Sequence, residues 1–156
     1  MTPEELKADK RLRRTYGITL EEYNQKLAEQ NGGCAICHRP PSHIRLAVDH
    51  DHKFDRIKIT VRKTDSHSQG KFLAECRDFS NKLRACYGDT KKEARISLRL
   101  ILRRMSLRGL LCVNCNRGLQ KFYDKPERFE AAARYLKKFE AICKSAISPS
   151  HTPSSF

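Results

Sequence analysis

Two acidic residues and two histidines occupy consecutive positions in the stretch Asp49-His50-Asp51-His52, directly after the apolar run 46–48. A buried strand does not need such a group, whereas a metal-dependent reaction can use it. Carboxylate oxygens bind hard divalent cations such as Mg²⁺. An imidazole titrates close to neutral pH, so it can accept a proton from water. We therefore predict hydrolytic chemistry here, with His50 as the general base.

A further oxygen donor, Asn116, lies far along the chain. Hydrolysis needs an activated water, neutralisation of the developing charge and a stabilised leaving group, and a divalent ion can supply the last two. We predict Asp49 and Asn116 as catalytic residues that hold a Mg²⁺ or Mn²⁺ ion. His52 is also a catalytic candidate, which could contact the scissile phosphate or the groups behind it. Asp51 could orient a histidine or solvate the turn.

Four of the seven cysteines form two C-x-x-C pairs, Cys34/Cys37 and Cys112/Cys115, with 74 residues between them. In a reducing compartment two such pairs predict one structural zinc ion with four thiolate ligands. Two redox pairs or four buried thiols are the alternatives. A zinc ion would hold the two pairs together and would bring the region of Asp49 towards that of Asn116.

Short apolar segments and capping residues predict the elements around these side chains. We expect strands at 46–48 and 106–111 and a helix that opens at Asn116, so that Asp49 and His50 lie where the first strand ends. Further helices are expected over 3–14, from a Thr19 cap to about residue 30, and over 125–146.

Three stretches, 16–37, 46–53 and 108–122, resemble the recombination endonuclease VII family of phages, within the ββα-metal or His-Me finger (HNH) nucleases. The resemblance implies a DNA endonuclease acting on branched DNA such as Holliday junctions. It implies that Asp49 and Asn116 bind the catalytic metal and that His50 activates water. It also allows a homodimer built from flanking helices. The usual member runs from Asp-His-Asp-His through a short turn into Arg-Gly-Leu-Leu-Cys, whereas this chain inserts about fifty residues.

The insertion, residues 56–105, has its own pattern of elements. Strands are predicted over 56–63, 71–79 and 82–88, followed by a helix that Thr90 caps. The expected apolar stripe of this helix is Ala94, Leu98, Ile101 and Met105. The order β-β-β-α is similar to the second half of a double-stranded-RNA-binding domain. A DNA-binding arm and a rigid basic flap remain the alternatives.

Positive charge is concentrated in the insertion. The chain carries a net charge of +14, and residues 53–108 hold sixteen Lys and Arg against six Asp and Glu. Such a concentration favours a polyanionic partner, above all nucleic acid, over a merely soluble surface. The predicted contacts to nucleic acid lie on one face of the inserted helix and are Lys91, Lys92, Arg95, Arg99 and Arg103.

We therefore predict an α+β fold, a zinc-stapled ββα-metal core flanked by helices, with an inserted three-stranded sheet and helix. The parts are N-terminal helices (1–33), the core (34–55 and 106–124), the inserted segment (56–105), a C-terminal helix (125–147) and a disordered tail (148–156). The predicted function is metal-dependent HNH endonuclease action on branched DNA, with one zinc ion as a structural cofactor. A structure-independent nicking nuclease and a non-catalytic zinc module that binds nucleic acid are the alternatives.

The apolar segments of the sequence are too short to predict a membrane span or a signal peptide. No run approaches the roughly 18 apolar residues of a membrane span, and the first residues contain no apolar signal segment. We expect a cytoplasmic protein of a bacterial or phage-infected cell, with no membrane partner and with reduced thiols.

Overall fold

A computed structural model describes residues 1–65 and 70–147, with side chains as far as residue 140. The fold class is α+β, as predicted, and the described residues form five α-helices and two small antiparallel sheets. The chain divides into two compact units, Met1–Cys115 and the residues from Asn116 onward. None of the described helices is long and apolar enough to cross a membrane. The predicted disordered tail, 148–156, lies outside the described residues.

The first unit begins with two capped helices, α1 (Pro3–Tyr16) and α2 (Leu20–Glu29). Each starts at a threonine whose hydroxyl accepts a backbone N–H while a glutamate three residues later reaches back, which satisfies two otherwise orphan donors. Helix α1 runs two residues beyond its predicted end, because Gly17 adopts the left-handed conformation that closes a helix.

The candidate catalytic stretch lies in a two-stranded sheet, in which β1 (Ala47–His50) pairs antiparallel with β5 (Leu107–Leu111). Strand β1 is longer than predicted, so Asp49 and His50 are its last two residues rather than the residues after it. The hydroxyl of Tyr23 donates to the carbonyl oxygen of Leu46 at 3.0 Å, which ties α2 to the start of β1.

The insertion folds as a three-stranded antiparallel sheet in the order β2 (Thr60–Lys63), β3 (Phe72–Arg77), β4 (Leu83–Gly88), followed by α3 (Lys91–Met105). Helix α3 packs on this sheet, and the two enclose a small core. Its buried members are Ile59, Ala74, Cys76, Ala94, Leu98 and Leu102.

Strand β2 begins later than predicted, because the chain first makes a 3-10 turn at Phe54–Arg56. The guanidinium group of Arg99 donates to the carbonyl oxygens of Phe54, Asp55 and Ile57 at 2.9 to 3.1 Å. These carbonyl oxygens accept from the Arg99 side chain and not from a neighbouring strand. The backbone pairing of β2 with β3 therefore starts only at Thr60.

The apolar stripe of α3 also differs from the prediction at its C-terminal end. Ala94 and Leu98 are fully buried, as predicted, but Leu102 continues the stripe, whereas Ile101 and Met105 are 39% and 40% exposed. Residues four apart lie one above the other on a helix, so 94, 98 and 102 form one straight row against the sheet.

The second unit contains most of α4 (Val113–Lys121) and all of α5 (Pro126–Ile147). Helix α4 does not open at Asn116, as predicted, but three residues earlier, inside the second cysteine pair. The backbone N–H of Cys115 donates to the sulfur of Cys112 at 3.4 Å, so the thiol acts as the helix cap. Past α4, the Phe122 and Phe129 rings pack with their centroids 4.6 Å apart.

Truncation of Leu98 to alanine should destabilise the insertion strongly. The side chain is fully buried in the core between α3 and the sheet, and such a cavity costs about 2–5 kcal/mol. Ile96→Ala, on the exposed face of the same helix, should change the free energy of unfolding by only about 0.5 kcal/mol. Urea unfolding of both variants measures the difference. Equal losses in the free energy of unfolding for the two variants would contradict the packing of Leu98 against the sheet.

Candidate active site and metal centres

The four predicted zinc ligands come together in the structure. The sulfurs of Cys34, Cys37, Cys112 and Cys115 all lie within 4.8 Å of one another, and those of Cys37 and Cys112 are 3.8 Å apart. A tetrahedral zinc ion with bonds of about 2.3 Å places neighbouring sulfurs about 3.8 Å apart. The cluster therefore could hold one zinc ion, and its donor set fits that metal.

A tight turn presents the first cysteine pair. The backbone N–H of Cys34 donates to Arg39 and that of His38 donates back to Cys34, each at 2.9 Å. A Cβ atom at Gly33 would approach the carbonyl oxygen of His38 to 2.4 Å, so only glycine fits there. His38, outside the predicted ligand set, has a left-handed backbone with φ of 59°.

This turn is anchored to β5, the strand that leads directly into the second pair. The N–H of Ala35 donates to the carbonyl oxygen of Leu110 at 3.0 Å. The side-chain amide of Gln30 accepts from the N–H of Leu110 at 2.8 Å and donates to its carbonyl at 2.9 Å. The two cysteine pairs are thus brought close by backbone contacts as well as by any ion they hold.

The thiols of the cluster do not titrate alike. Burial raises the pKa of Cys34, but the backbone N–H groups of Cys37, Cys112 and Ile36 lower it by more, to about 6. Burial and the neighbouring thiols raise the pKa of Cys115 to about 12. The lowered pKa favours the thiolate of Cys34, whereas the raised pKa keeps the proton on the thiol of Cys115. A divalent cation would supply the missing counter-charge and release the remaining protons.

Asp49 is buried and paired with Arg108, a contact that the sequence did not reveal. The guanidinium group approaches the two carboxylate oxygens at 2.8 and 2.9 Å. A bulge makes this pairing possible, because Asp49 faces Gly109 and His50 faces Leu107, which leaves Arg108 without an opposite residue in β1. Bulges re-aim side chains beside functional sites.

Replacement of Arg108 by alanine should destabilise the first unit, because it leaves the buried Asp49 carboxylate without its bidentate partner. We expect a loss of about 1–3 kcal/mol in the free energy of unfolding, measured in urea. The second replacement Asp49→Asn should recover part of the loss, since it removes the uncompensated charge. Independent, additive effects in the double variant would contradict a direct pairing.

His50 and His52 face a common carboxylate, that of Asp55. Nε2 of His50 lies 3.4 Å from Oδ2 of Asp55, and Nδ1 of His52 lies 3.7 Å from the same oxygen. The two imidazole rings are 4.4 Å apart, and the ring of Tyr16 lies edge-on to His50 at 5.7 Å. The side chain of His50 is only 15% exposed, whereas that of His52 is 51% exposed.

Asp55 lies beside the candidate histidines, and no pattern in the sequence singled it out. Its Oδ1 accepts from Nε of Arg103 at 3.0 Å. Burial raises the pKa of Asp55, but the hydrogen bond and charge of Arg103 and the nearby His50 outweigh it, so the pKa lies below its usual value. In the sequence, the only indication of this contact is that an acidic residue lies three positions after His52. Asp51, in contrast, accepts from the backbone N–H of Lys53 at 2.9 Å and supports the turn.

The predicted nucleic-acid face of α3 is divided in the structure. The first turns carry Lys91, Lys92 and Arg95 in exposed positions. Arg99 donates to the 3-10 turn, and Arg103 donates to Asp55 and to the carbonyl oxygen of Thr15 at 3.1 Å. Contact with nucleic acid stays a prediction for all five cations, and the internal bonds of the last two do not favour it.

A second basic surface lies along α1 and includes Arg45, which precedes β1. It is a shallow groove of about 420 Å³ that contains one acid, Glu4, and five cations. None of these cations has an ion-pair partner in the part of the chain that the structure describes. They are Lys7, Lys10, Arg11, Arg14 and Arg45.

Asn116, the predicted partner of Asp49 at the catalytic metal, is the fourth residue of α4 and follows Cys115 directly. It is also the first residue of the second unit. Its role as a metal ligand stays a prediction.

Comparison with known proteins shows the family. The model of the family "Recombination endonuclease VII" matches residues 9–138, so the chain belongs to that family. Two curated relatives, the Gene 59 proteins of Mycobacterium phages D29 and L5, are each 52% identical over 44 residues. That segment is 28% of this chain and 27% of each relative, so the chain matches about a quarter of their length. No solved structure matches the chain significantly.

Proposed function

We propose that this protein is a divalent-metal-dependent endonuclease of the HNH type that hydrolyses phosphodiester bonds in branched DNA. One observation carries the proposal: in a chain of the recombination endonuclease VII family, β1 ends in Asp49 and His50 and pairs with the strand that runs into a four-cysteine cluster. A protein that only binds nucleic acid needs neither the carboxylate nor the imidazole.

His50 is the proposed general base. Its Nε2 faces the Asp55 carboxylate, which favours the tautomer with the proton on Nε2 and leaves the lone pair of Nδ1 free to accept a proton from water. Arg103 keeps Asp55 ionised by lowering its pKa. The inserted segment would therefore position the base, since Arg103 belongs to α3.

Asp49 and Asn116 are the proposed ligands of Mg²⁺ or Mn²⁺, since both offer the oxygen atoms that such ions prefer. A carboxylate has about four lone-pair sites, and Arg108 uses two of those on Asp49. The carboxylate of Asp49 therefore keeps lone pairs that can bind a metal ion. When bound, the ion would neutralise charge on the phosphate and on the leaving oxygen.

Phosphate contacts should come from two basic surfaces. The groove on α1 presents five cations without ion-pair partners among the described residues, and the start of α3 presents three more. Such contacts hold the backbone of a polyanion without reading its sequence, and they weaken steeply with salt.

The test is cleavage of a labelled four-way junction, a linear duplex of the same sequence and a hairpin RNA, each with Mg²⁺. We expect the junction to be cut and the duplex spared, and we expect EDTA to stop cleavage but not binding at low salt. Equal cutting of both DNA forms would support a nicking nuclease without structural preference. Tight binding with no cleavage in Mg²⁺ or Mn²⁺ would leave a non-catalytic binding module.

A further inference from the structure

We propose that His50, His52 and Asp55 form a second metal site, for a divalent transition ion such as Zn²⁺, separate from the four-cysteine cluster and from the Asp49 and Asn116 pair. One ligand atom of each residue lies within 4.8 Å of the other two. No residue of this site is a thiol, so the two metal sites differ in chemistry.

The spacing of the donor atoms is close to that of a bound ion. Zinc bonds of about 2.0–2.1 Å to nitrogen and to oxygen place neighbouring donors of a tetrahedral site about 3.3–3.4 Å apart. The nitrogens of His50 and His52 stand 3.4 and 3.7 Å from the Asp55 oxygen. The distance from His52 to the Asp55 oxygen and the gap between the two nitrogens must shorten by small amounts, and the His52 side chain is half exposed.

The carboxylate of this site is held in place before any ion binds. Arg103 binds Oδ1 of Asp55 at 3.0 Å, which leaves Oδ2 directed at the two histidines. Arg99 fixes the backbone on both sides through the carbonyls of Phe54, Asp55 and Ile57. Outer hydrogen bonds of this kind orient metal ligands and strengthen the sites that they support.

The donor set selects the class of metal. Two imidazoles and one carboxylate suit zinc, cobalt, nickel or copper, whereas Mg²⁺ prefers oxygen ligands alone. Three protein ligands leave a position for water. The positive charge of Arg103 lies behind the carboxylate and opposes a cation, so this site should bind its ion more weakly than the four thiols do.

Occupation would change the state of His50. An ion bound at Nε2 would hold the imidazole of His50 against the carboxylate of Asp55 and would restrict its movement. Zinc in excess of the structural ion should therefore inhibit cleavage. This consequence rests on the proposed function, whereas the site itself does not.

The direct test is a titration of the zinc-loaded protein with Co²⁺, followed by visible absorption. We expect the wild-type chain to develop the weak bands of a nitrogen and oxygen site, without the intense thiolate bands of a cysteine cluster. His52→Ala and Asp55→Asn should each weaken Co²⁺ binding by about tenfold or more. Two matched controls, His43→Ala and Asp51→Asn, remove a nearby imidazole or carboxylate outside the site and should bind Co²⁺ as the wild type does.

Thermal unfolding checks that each variant is folded, and His52→Ala remains decisive if Asp55→Asn is not, because the His52 side chain is half exposed. The proposal is wrong if the wild type binds no Co²⁺ beyond the cysteine cluster, or if His52→Ala binds it equally well. Co²⁺ binding without any cleavage in Mg²⁺ would keep the site and reject the nuclease. Cleavage in Mg²⁺ without such Co²⁺ binding would support the nuclease and reject the second metal site.

Discussion

If zinc occupies the four-cysteine cluster, its removal is expected to unfold the first unit or to leave it without fixed packing. Structural zinc supplies on the order of 10 kcal/mol in small domains, comparable to the whole free energy of folding. Here the cluster joins two segments 74 residues apart in sequence. Without the ion, the hydrogen bonds that the Leu110 backbone makes with Ala35 and with the side chain of Gln30 would remain between them.

The measurement is circular dichroism during heating, with and without prolonged treatment by a strong chelator, together with the zinc content by atomic emission. Cys115→Ser should lose zinc and show the same destabilisation. Cys86→Ser is the matched control, because Cys86 lies on β4 outside the cluster. An apoprotein that melts like the zinc-loaded protein would show that the cluster contributes nothing to folding.

Replacement of His50 by alanine is expected to lower the rate of DNA cleavage by about 10²–10⁴-fold, the usual contribution of a general base. Binding of the same DNA should change little, because the cations on α1 and at the start of α3 remain. The experiment compares single-turnover cleavage with binding in the presence of Ca²⁺.

His43→Ala serves as the control, since this histidine is exposed and lies outside the stretch 49–52. It should cleave at the wild-type rate. A His50→Ala variant that retains full activity would remove His50 from the mechanism. A loss of binding in step with the loss of cleavage would mean that the residue holds DNA and does not activate water.

Local chemistry determined much of the fold before any tertiary contact was known. Threonine followed three residues later by glutamate marks the start of α1, α2 and α3, because each pair satisfies its own helix terminus. The alternation of apolar and polar residues over 56–63 indicated the first inserted strand, since a strand turns successive side chains to opposite faces, although the strand begins only at Thr60. The C-x-x-C spacing predicted the cluster, because each pair presents two sulfurs on one side of a turn.

Tertiary structure alone decided which side chains surround the candidate histidine. Arg103 meets Asp55 across 48 residues of sequence and Arg108 meets Asp49 across 59, and no pattern in the sequence indicates which cation will pair with which acid. The five cations predicted on one face of α3 looked equivalent on a helical projection, yet Arg99 and Arg103 bond to the 3-10 turn at residues 54–56. The reason is physical: periodicity fixes the face of a helix, whereas the partner of a long charged side chain depends on what the rest of the chain places within its reach.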